Sequence, residues 1–132
     1  MLNISFTGIG QGRVTNNLGT EINHIAGAFH IPDEKSIAML YEMLDTEGLY
    51  VGASTALNIV AAYELAQQLG PGECSTLGFN IVIESVPGKT VVTVLCDGAY
   101  RYQSRLFSKK WIESKGLSGA IPGHLKKYSV LD

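Results

Sequence analysis

Hydrophobic positions along the chain follow two patterns, a helical period and short uninterrupted apolar runs. The helical period is clear over residues 33–45, where apolar side chains recur three or four positions apart. These side chains are Ile37, Leu40, Tyr41 and Leu44. A second helix is predicted over 56–69, capped by Ser54 or Thr55, and a third over 103–115. The pattern therefore predicts three helices separated by shorter elements.

Short apolar runs lie between these helices and predict β-strands. One run covers residues 49–52, and two more, 79–83 and 90–96, lie on either side of Pro87 and Gly88. The run over 90–96 is almost uninterrupted, which is typical of a strand buried on both faces. Helices that alternate with buried strands predict an α/β fold with a parallel or mixed sheet.

Length, charge and cysteine content narrow the class of protein. The chain has 132 residues, which suits a single domain. Ten Lys and Arg against twelve Asp and Glu give a net charge of -2, so we expect no nucleic-acid or anionic-membrane partner. No apolar run approaches the roughly 20 residues of a membrane span. Cys74 and Cys96 are too few for a disulfide framework and indicate an intracellular protein.

Two residue groups could carry chemistry, and each has a structural alternative. The glycine-rich residues 8–12 could bind a nucleotide phosphate, but Arg13 stands where a dinucleotide fingerprint needs its third glycine. A structural loop is therefore favoured. Glu21, His24 and His30 have no common metal-ligand spacing, so we expect solvated or helix-capping histidines and no metal site.

Ser54 is a third candidate, as a nucleophile. Residues 52–56 lack the second glycine of the turn that presents a hydrolase serine. A helix cap is the favoured interpretation of this hydroxyl. The spacing of acidic and basic residues along the chain does not by itself identify a catalytic acid–base pair.

Three segments carry a more specific signal when they are taken in order. They are Gly-Ile-Gly-Gln-Gly-Arg-Val at 8–14, Glu-Gly-Leu-Tyr-Val-Gly-Ala-Ser at 47–54 and Pro-Gly-Lys-Thr-Val-Val at 87–92. Together they resemble the C-terminal part of cysteine synthase and its relatives, the fold-type II pyridoxal-phosphate enzymes. The first segment is most similar to a fungal, often mitochondrial, branch. The resemblance covers residues 7–72 and 87–117.

The resemblance implies a fold, a cofactor and the residues that contact it. The implied fold is an incomplete three-layer fold-type II α/β domain with a mostly parallel sheet flanked by helices. The implied cofactor is pyridoxal 5'-phosphate, and Ser54 matches the serine that hydrogen-bonds its ring nitrogen. Gly8 and Gly10 match the loop beside the substrate, and Cys96 matches a proline that lines one side of the cofactor ring. A neutral hydroxyl leaves the ring a weaker electron sink than an aspartate does, which suits β-replacement.

The resemblance also implies residues that this sequence does not contain. The lysine that binds the cofactor covalently has no match, since the seven lysines lie in other contexts. These are Lys35, Lys89, Lys109, Lys110, Lys115, Lys126 and Lys127. We therefore expect a C-terminal fragment of a cysteine-biosynthesis enzyme that joins sulfide to an activated serine, inactive alone. One alternative is a non-catalytic module that pairs with a full-length homologue, and a second is a nucleotide-binding α/β protein.

The resemblance leads to further expectations about organisation. The substrate is a small amino acid, the family is typically a homodimer, and the compartment is mitochondrial or cytoplasmic. Residues 73–88 are predicted to be an insertion, because their deletion restores a short helix-to-strand turn. The alternative is a genuine hairpin that pairs residues 79–83 with 90–95. Residues 118–132 have no clear periodicity and are treated as a tail.

Overall fold

The computed structural model describes residues 14–68, 82–86 and 89–132 of the chain. The α-helices of this part are α1 (Asn16–Glu21), α2 (Asp33–Thr46), α3 (Ala53–Gln68), α4 (Gln103–Leu106) and α5 (Lys109–Ser114). Its 3-10 helices are Ile22–His24, Ala99–Arg101 and Gly123–Tyr128. Its strands are β1 (Val82–Val86) and β2 (Lys89–Val92). The described part is therefore mixed, with helices predominating over one small sheet.

Helix α2 confirms the prediction from apolar spacing. It begins directly after Pro32, and two acids in its first turn, Asp33 and Glu34, complement the positive end of the helix dipole. It is followed by Gly48, whose φ of 66° is a left-handed conformation that favours glycine. The buried residues of α2 form one face: Ser36, Ile37, Leu40 and Tyr41.

Helix α3 begins earlier than predicted and packs against α2. The Ala56 N–H donates to the Gly52 carbonyl over 3.0 Å, so the helical hydrogen bonding begins at Gly52. Ser54 and Thr55 consequently lie inside the first turn, and the prediction that one of them caps the helix was wrong. The buried face of α3 consists mainly of small side chains: Ala53, Thr55, Ala56, Ile59, Val60, Ala62 and Ala66.

The described strands differ from the predicted ones. Residues 49–52 form no strand, and only an isolated bridge joins Val51 to Gly98. Strand β2 ends at Val92, which is 69% exposed, and Val94 is 65% exposed. The expectation of a strand over 90–96 buried on both faces was therefore wrong. The expectation failed because an uninterrupted apolar run does not reveal how many layers cover a strand.

The sheet in the described residues is a two-stranded antiparallel hairpin. Val82 lies opposite Val92, and Ile83 lies opposite Val91. Val91 is buried in a small cluster with three residues of α3, whereas Val92 points away. Within β2, Val91 is thus buried and the adjacent Val92 is exposed. A mostly parallel sheet was expected, but the ladder found in this part of the chain is antiparallel because it joins consecutive strands.

The hairpin bears on the prediction of an insertion. Residues 82–86 pair with the strand that follows them, as the alternative of a genuine hairpin proposed. Residues 79–81 lie outside the described part. The origin of residues 73–88 stays a prediction, since pairing does not reveal how a segment was acquired.

The predicted helix over 103–115 is divided into α4 and α5. Between them, Phe107 is buried and the Ser108 side chain accepts the Trp111 N–H over 3.2 Å, which caps α5. Gly116, with φ of 71°, follows the end of α5. The division lets Phe107 enter the core while the chain changes direction.

Residues 118–132 pack against the rest of the described chain. Leu125 is fully buried in the 3-10 helix Gly123–Tyr128, and Ile121 is buried just before it. They join the larger core cluster with α2, α4 and α5. The Tyr41 hydroxyl in this core donates to the Leu106 carbonyl over 2.9 Å, and burial raises the pKa of Tyr41.

Candidate functional site

Polar side chains from two distant segments meet at the beginning of α3. One segment runs through Gly52 into the helix, and the other contains the residues that follow β2. We call this group the α3-start cluster, and its members are Gly52, Ser54, Thr55, Asn58, Cys96 and Asp97. It includes two of the four residues predicted to contact the cofactor, Ser54 and Cys96.

Main-chain hydrogen bonds fix Asp97 against the helix. The Asp97 carbonyl accepts the Gly52 N–H over 2.9 Å and the Thr55 hydroxyl over 3.0 Å. The Asp97 N–H donates to the same Thr55 oxygen over 3.2 Å. Thr55 is fully buried, so its hydroxyl needs these partners. The three bonds therefore hold the backbone of Asp97 independently of its carboxylate.

The Ser54 hydroxyl has only a weak partner in this arrangement. Ser54 is half-buried in the first turn of α3. Its Oγ donates to Asp97 Oδ1 over 3.4 Å, which is long for an O–H···O bond, whose usual length is about 2.7–2.8 Å. Such a hydroxyl retains the capacity to bond another group. Ser54 is therefore the member of the α3-start cluster best suited to contact a ligand.

Cys96 is hydrogen-bonded to the first half of α3, the helix that carries Ser54. Asn58, one helical turn after Ser54, donates from Nδ2 to the Cys96 Sγ over 3.4 Å and to the Val94 carbonyl over 3.0 Å. Cys96 is exposed and its thiol is free. Asn58 thus bonds Cys96 to the helix that carries Ser54, and the predictions missed it. Its spacing of four residues from Ser54 was the available signal.

Gly52 is required by the close approach of Asp97. A Cβ at Gly52 would collide with Asp97 Oδ1 and would lie 3.3 Å from the Asp97 carbonyl oxygen. The carboxylate could rotate away, but the carbonyl contact cannot relax easily, because the backbone of Asp97 is held by three hydrogen bonds. The absence of a side chain at position 52 therefore lets the carboxylate reach Ser54.

Tyrosines border the cluster on the side of the 3-10 helix Ala99–Arg101. The rings of Tyr50 and Tyr100 contact edge to face, with centroids 5.1 Å apart. The pKa of Tyr102 is raised, first of all by hydrogen bonding with the nearby Asp97 side chain. Burial raises the pKa of Tyr50, and the neighbouring Tyr100 adds to the shift. The Asp97 side chain therefore has two polar neighbours, Ser54 and Tyr102.

Other predicted groups lie elsewhere. Gly8 and Gly10 fall outside the described residues, so their position relative to Ser54 is untested. His24 Nδ1 is 3.1 Å from Glu21 Oε2 on an exposed surface, and His30 is also exposed. Over residues 14–68, 82–86 and 89–132, no group of three or more His, Cys, Asp and Glu side chains could hold a metal ion. No helix described there is long and apolar enough to cross a membrane.

Comparison with known proteins gives a consistent family. No protein-family model matches the sequence. The chain is 55% identical to cysteine synthase 1 of Emericella nidulans over 94% of its length, which is 29% of that relative. It is 54% identical to cysteine synthase 1 of Neurospora crassa with the same coverage. A Saccharomyces cerevisiae relative, whose name includes the words mitochondrial cysteine synthase, is 34% identical over 82% of the chain.

These relatives are enzymes named for the synthesis of an amino acid, and their similarity extends over nearly all of this chain. The chain belongs to the cysteine synthase family. It spans less than a third of the length of the first two relatives, 29% in each case. The predicted correspondence to the C-terminal part of a family member is thereby confirmed.

Proposed function

We propose that this chain supplies part of a pyridoxal-phosphate-dependent cysteine synthase, with Ser54 as the residue that contacts the ring nitrogen of the cofactor. One observation carries the proposal: the Ser54 hydroxyl stands at the start of α3 with only a long bond to Asp97. The reaction that we propose for the complete enzyme is replacement of the β-substituent of an activated serine by sulfide. The proposal draws on the family of the chain together with this geometry.

The chemistry of the α3-start cluster fits the proposed cofactor. A serine hydroxyl can donate or accept one further hydrogen bond, as a pyridine nitrogen requires. Gly52 presents no side chain beside it, and the exposed Cys96, bonded to the first half of the same helix, adds a polarisable group. Pyridoxal phosphate supplies an electron sink when a β-substituent leaves an amino acid. Ser54 and Cys96 are thus the described residues proposed to line the ring.

The covalent link to the cofactor is proposed to come from another part of the enzyme. None of the residues in the α3-start cluster is a lysine. We therefore expect the 132-residue chain to have no activity alone. Incubation with pyridoxal phosphate, borohydride reduction and peptide mapping test this directly. Labelling of a unique lysine together with turnover would overturn the proposed inactivity.

The role of Ser54 needs a complete enzyme for its test. A chimaera in which this chain replaces the matched part of the Emericella nidulans enzyme provides one. In it, Ser54→Ala should shift the absorption of bound cofactor and lower kcat/KM about tenfold, the effect of one lost hydrogen bond. Ser54→Thr, which keeps a hydroxyl, should restore part of both. Ser104→Ala, at an exposed position of α4, is the matched control.

An unchanged cofactor spectrum in the Ser54→Ala chimaera would contradict the assignment.

The remaining proposals concern the whole enzyme: a small amino-acid substrate, a homodimer and a mitochondrial or cytoplasmic location. The name of the Saccharomyces cerevisiae relative favours mitochondria. Cell fractionation and sedimentation of the complete enzyme test the location and the assembly.

A second candidate function is that of an interaction module. Residues 14–29 favour it, because this segment exposes five large apolar side chains. They are Val14, Leu18, Ile22, Ile25 and Phe29. In this alternative the segment pairs with a full-length homologue. Size-exclusion chromatography of the chain with the Emericella nidulans enzyme should then give a mixed species, and separate elution would exclude the module. The nucleotide-binding alternative rests on residues 8–12, outside the described part, and stays a prediction.

A further inference from the structure

The segment that follows β2 has no regular structure of its own. Residues 93–97 belong to neither a helix nor a strand. Leu95 packs against the small apolar cluster formed by α3 and β2, while its neighbours Val94 and Cys96 are exposed. Polar main-chain groups outside a ladder or helix need other hydrogen-bond partners. For this segment, side chains of α3 supply them.

Asn58 supplies the bonds to the middle of the segment. Its Nδ2 donates to the Val94 carbonyl over 3.0 Å and to the Cys96 Sγ over 3.4 Å. An amide nitrogen carries two N–H donors, so one side chain can serve both acceptors. In the opposite direction, the Thr93 hydroxyl donates to the Asn58 main-chain carbonyl over 3.3 Å. Three contacts therefore tie Cys96 and its neighbours to a single residue of α3.

The bond to the Val94 carbonyl is the strongest of these contacts. Its length of 3.0 Å is ordinary for an N–H···O bond, whereas a thiol sulfur is a weak acceptor. The carbonyl can only accept, which fixes the orientation of the Asn58 amide. Cys96 lies two residues further along, so an anchored Val94 restricts the position of the thiol even when the contact with sulfur is broken.

We propose that Asn58 is a positioning residue, which fixes residues 93–97 along α3 and thereby holds Cys96 at one side of the site for the cofactor ring. This inference rests on the proposed function, in which Cys96 lines the ring. It adds a residue that acts through Cys96 and needs no contact of its own with the cofactor. A site whose walls are already ordered binds its ligand more tightly, because less ordering has to accompany binding.

Asn58→Leu removes the side-chain bonds with little other change. Leucine is close to asparagine in shape but carries no donor, and its helix propensity is higher. Any loosening of residues 93–97 in this variant therefore does not come from a weaker α3. Asn58→Gln keeps the amide on a longer side chain and should restore part of each effect. Gln67→Ala, at an exposed position near the other end of α3, is the matched control.

The first experiment measures amide hydrogen exchange by NMR in the 132-residue chain without cofactor. The Asp97 N–H, which donates to Thr55 Oγ1, reports opening of the segment. Asn58→Leu should raise its exchange rate about fivefold, the effect of one lost hydrogen bond of ordinary strength. Gln67→Ala should leave the rate unchanged. An exchange rate in Asn58→Leu equal to that of the parent would overturn the inference.

The second experiment measures the dissociation constant of pyridoxal phosphate from the chimaera. Asn58→Leu should raise this constant about fivefold, and Cys96→Ala should also raise it. In a Cys96→Ala background, Asn58→Leu should have little further effect, because the group that Asn58 positions is gone. Effects that simply add would overturn the inference, since Asn58 would then act by a route other than Cys96. Thermal unfolding of each variant checks that the chimaera is folded.

The outcomes distinguish the failure of this inference from that of the proposed function. If Ser54→Ala shifts the cofactor spectrum while Asn58→Leu leaves the dissociation constant unchanged, the inference fails and the Ser54 contact stands. A Ser54→Ala chimaera with the parent spectrum, together with parent dissociation constants in Asn58→Leu and Cys96→Ala, would overturn both.

Discussion

Two regions of this chain differ sharply in how their apolar side chains are used. In the core around α2, α5 and the 3-10 helix Gly123–Tyr128, large side chains such as Tyr41 and Leu125 are fully buried. Over residues 14–29, α1 and the 3-10 helix Ile22–His24 bury none of theirs. The first region has its packing partners within the described chain. The second region exposes apolar side chains that could pack against another part of the enzyme or another protein. The difference indicates which part of the molecule depends on further structure.

The largest expected effect is on the buried side of this comparison. Leu125→Ala leaves a cavity in the core and should destabilise the chain by about 2–5 kcal/mol. Ile22→Ala, on the exposed segment, should change stability by no more than about 0.5 kcal/mol. Urea unfolding measures both. Equal effects of the two substitutions on the unfolding free energy would contradict the difference in packing between the two regions.

A smaller effect is expected at the Tyr41 hydroxyl. Tyr41→Phe keeps the ring and its contact with Phe107, 5.1 Å between centroids, but removes the bond to the Leu106 carbonyl. An unpaired buried carbonyl should destabilise the chain by about 1–3 kcal/mol. Urea unfolding again provides the measurement. As a control, Tyr63→Phe alters an exposed tyrosine of α3 and should leave stability unchanged.

The attachment of the C-terminal segment to α2 should depend on pH. Lys127 and Tyr128 hydrogen-bond Asp45 and hold its pKa below the ordinary value of 3.8. The carboxylate therefore stabilises the folded chain above pH 3.8, and this contribution is lost as pH falls through the lower folded pKa. Asp45→Asn should remove that part of the acid dependence, as measured by thermal unfolding between pH 2 and pH 6, roughly the range over which carboxylates titrate. An acid dependence identical to that of the parent would contradict this role of Asp45.

The smallest effect on the chain itself is expected for the exposed segment. Leu18→Ser combined with Ile25→Ser should leave its unfolding free energy nearly unchanged, because neither side chain is buried in the described structure. The same pair should weaken the assembly of the chimaera, if residues 14–29 pack against the rest of the enzyme. Sedimentation and thermal unfolding of the chimaera provide the readout. Unaltered assembly would mean that this segment stays in solvent.

The amino-acid pattern predicted some of these features for clear physical reasons. Helix α2 was located to within a residue at its end, because its apolar period is regular and its termini carry Pro32 and Gly48. The strand over 90–96 was mispredicted, since a run of apolar residues does not show what covers it. Val94 is apolar and exposed.

The candidate site shows the same limit. The resemblance to a family pointed to Ser54 and Cys96, and the structure brings both to the first half of α3. The bonds of Thr55 and Asn58 to the segment after β2 could not be predicted, because they join residues about forty positions apart in sequence. Local spacing carries no information on such contacts.

The three bonds that hold the Asp97 backbone also bear on how this protein could evolve. They close a loop of chain between Thr55 and Asp97, which are 42 positions apart. Once both ends of a loop are anchored, a doubling of its length costs only about 0.6 kcal/mol of entropy. Natural variants could therefore gain residues between α3 and β1 at little cost in closure entropy, while the serine at the helix start keeps its surroundings.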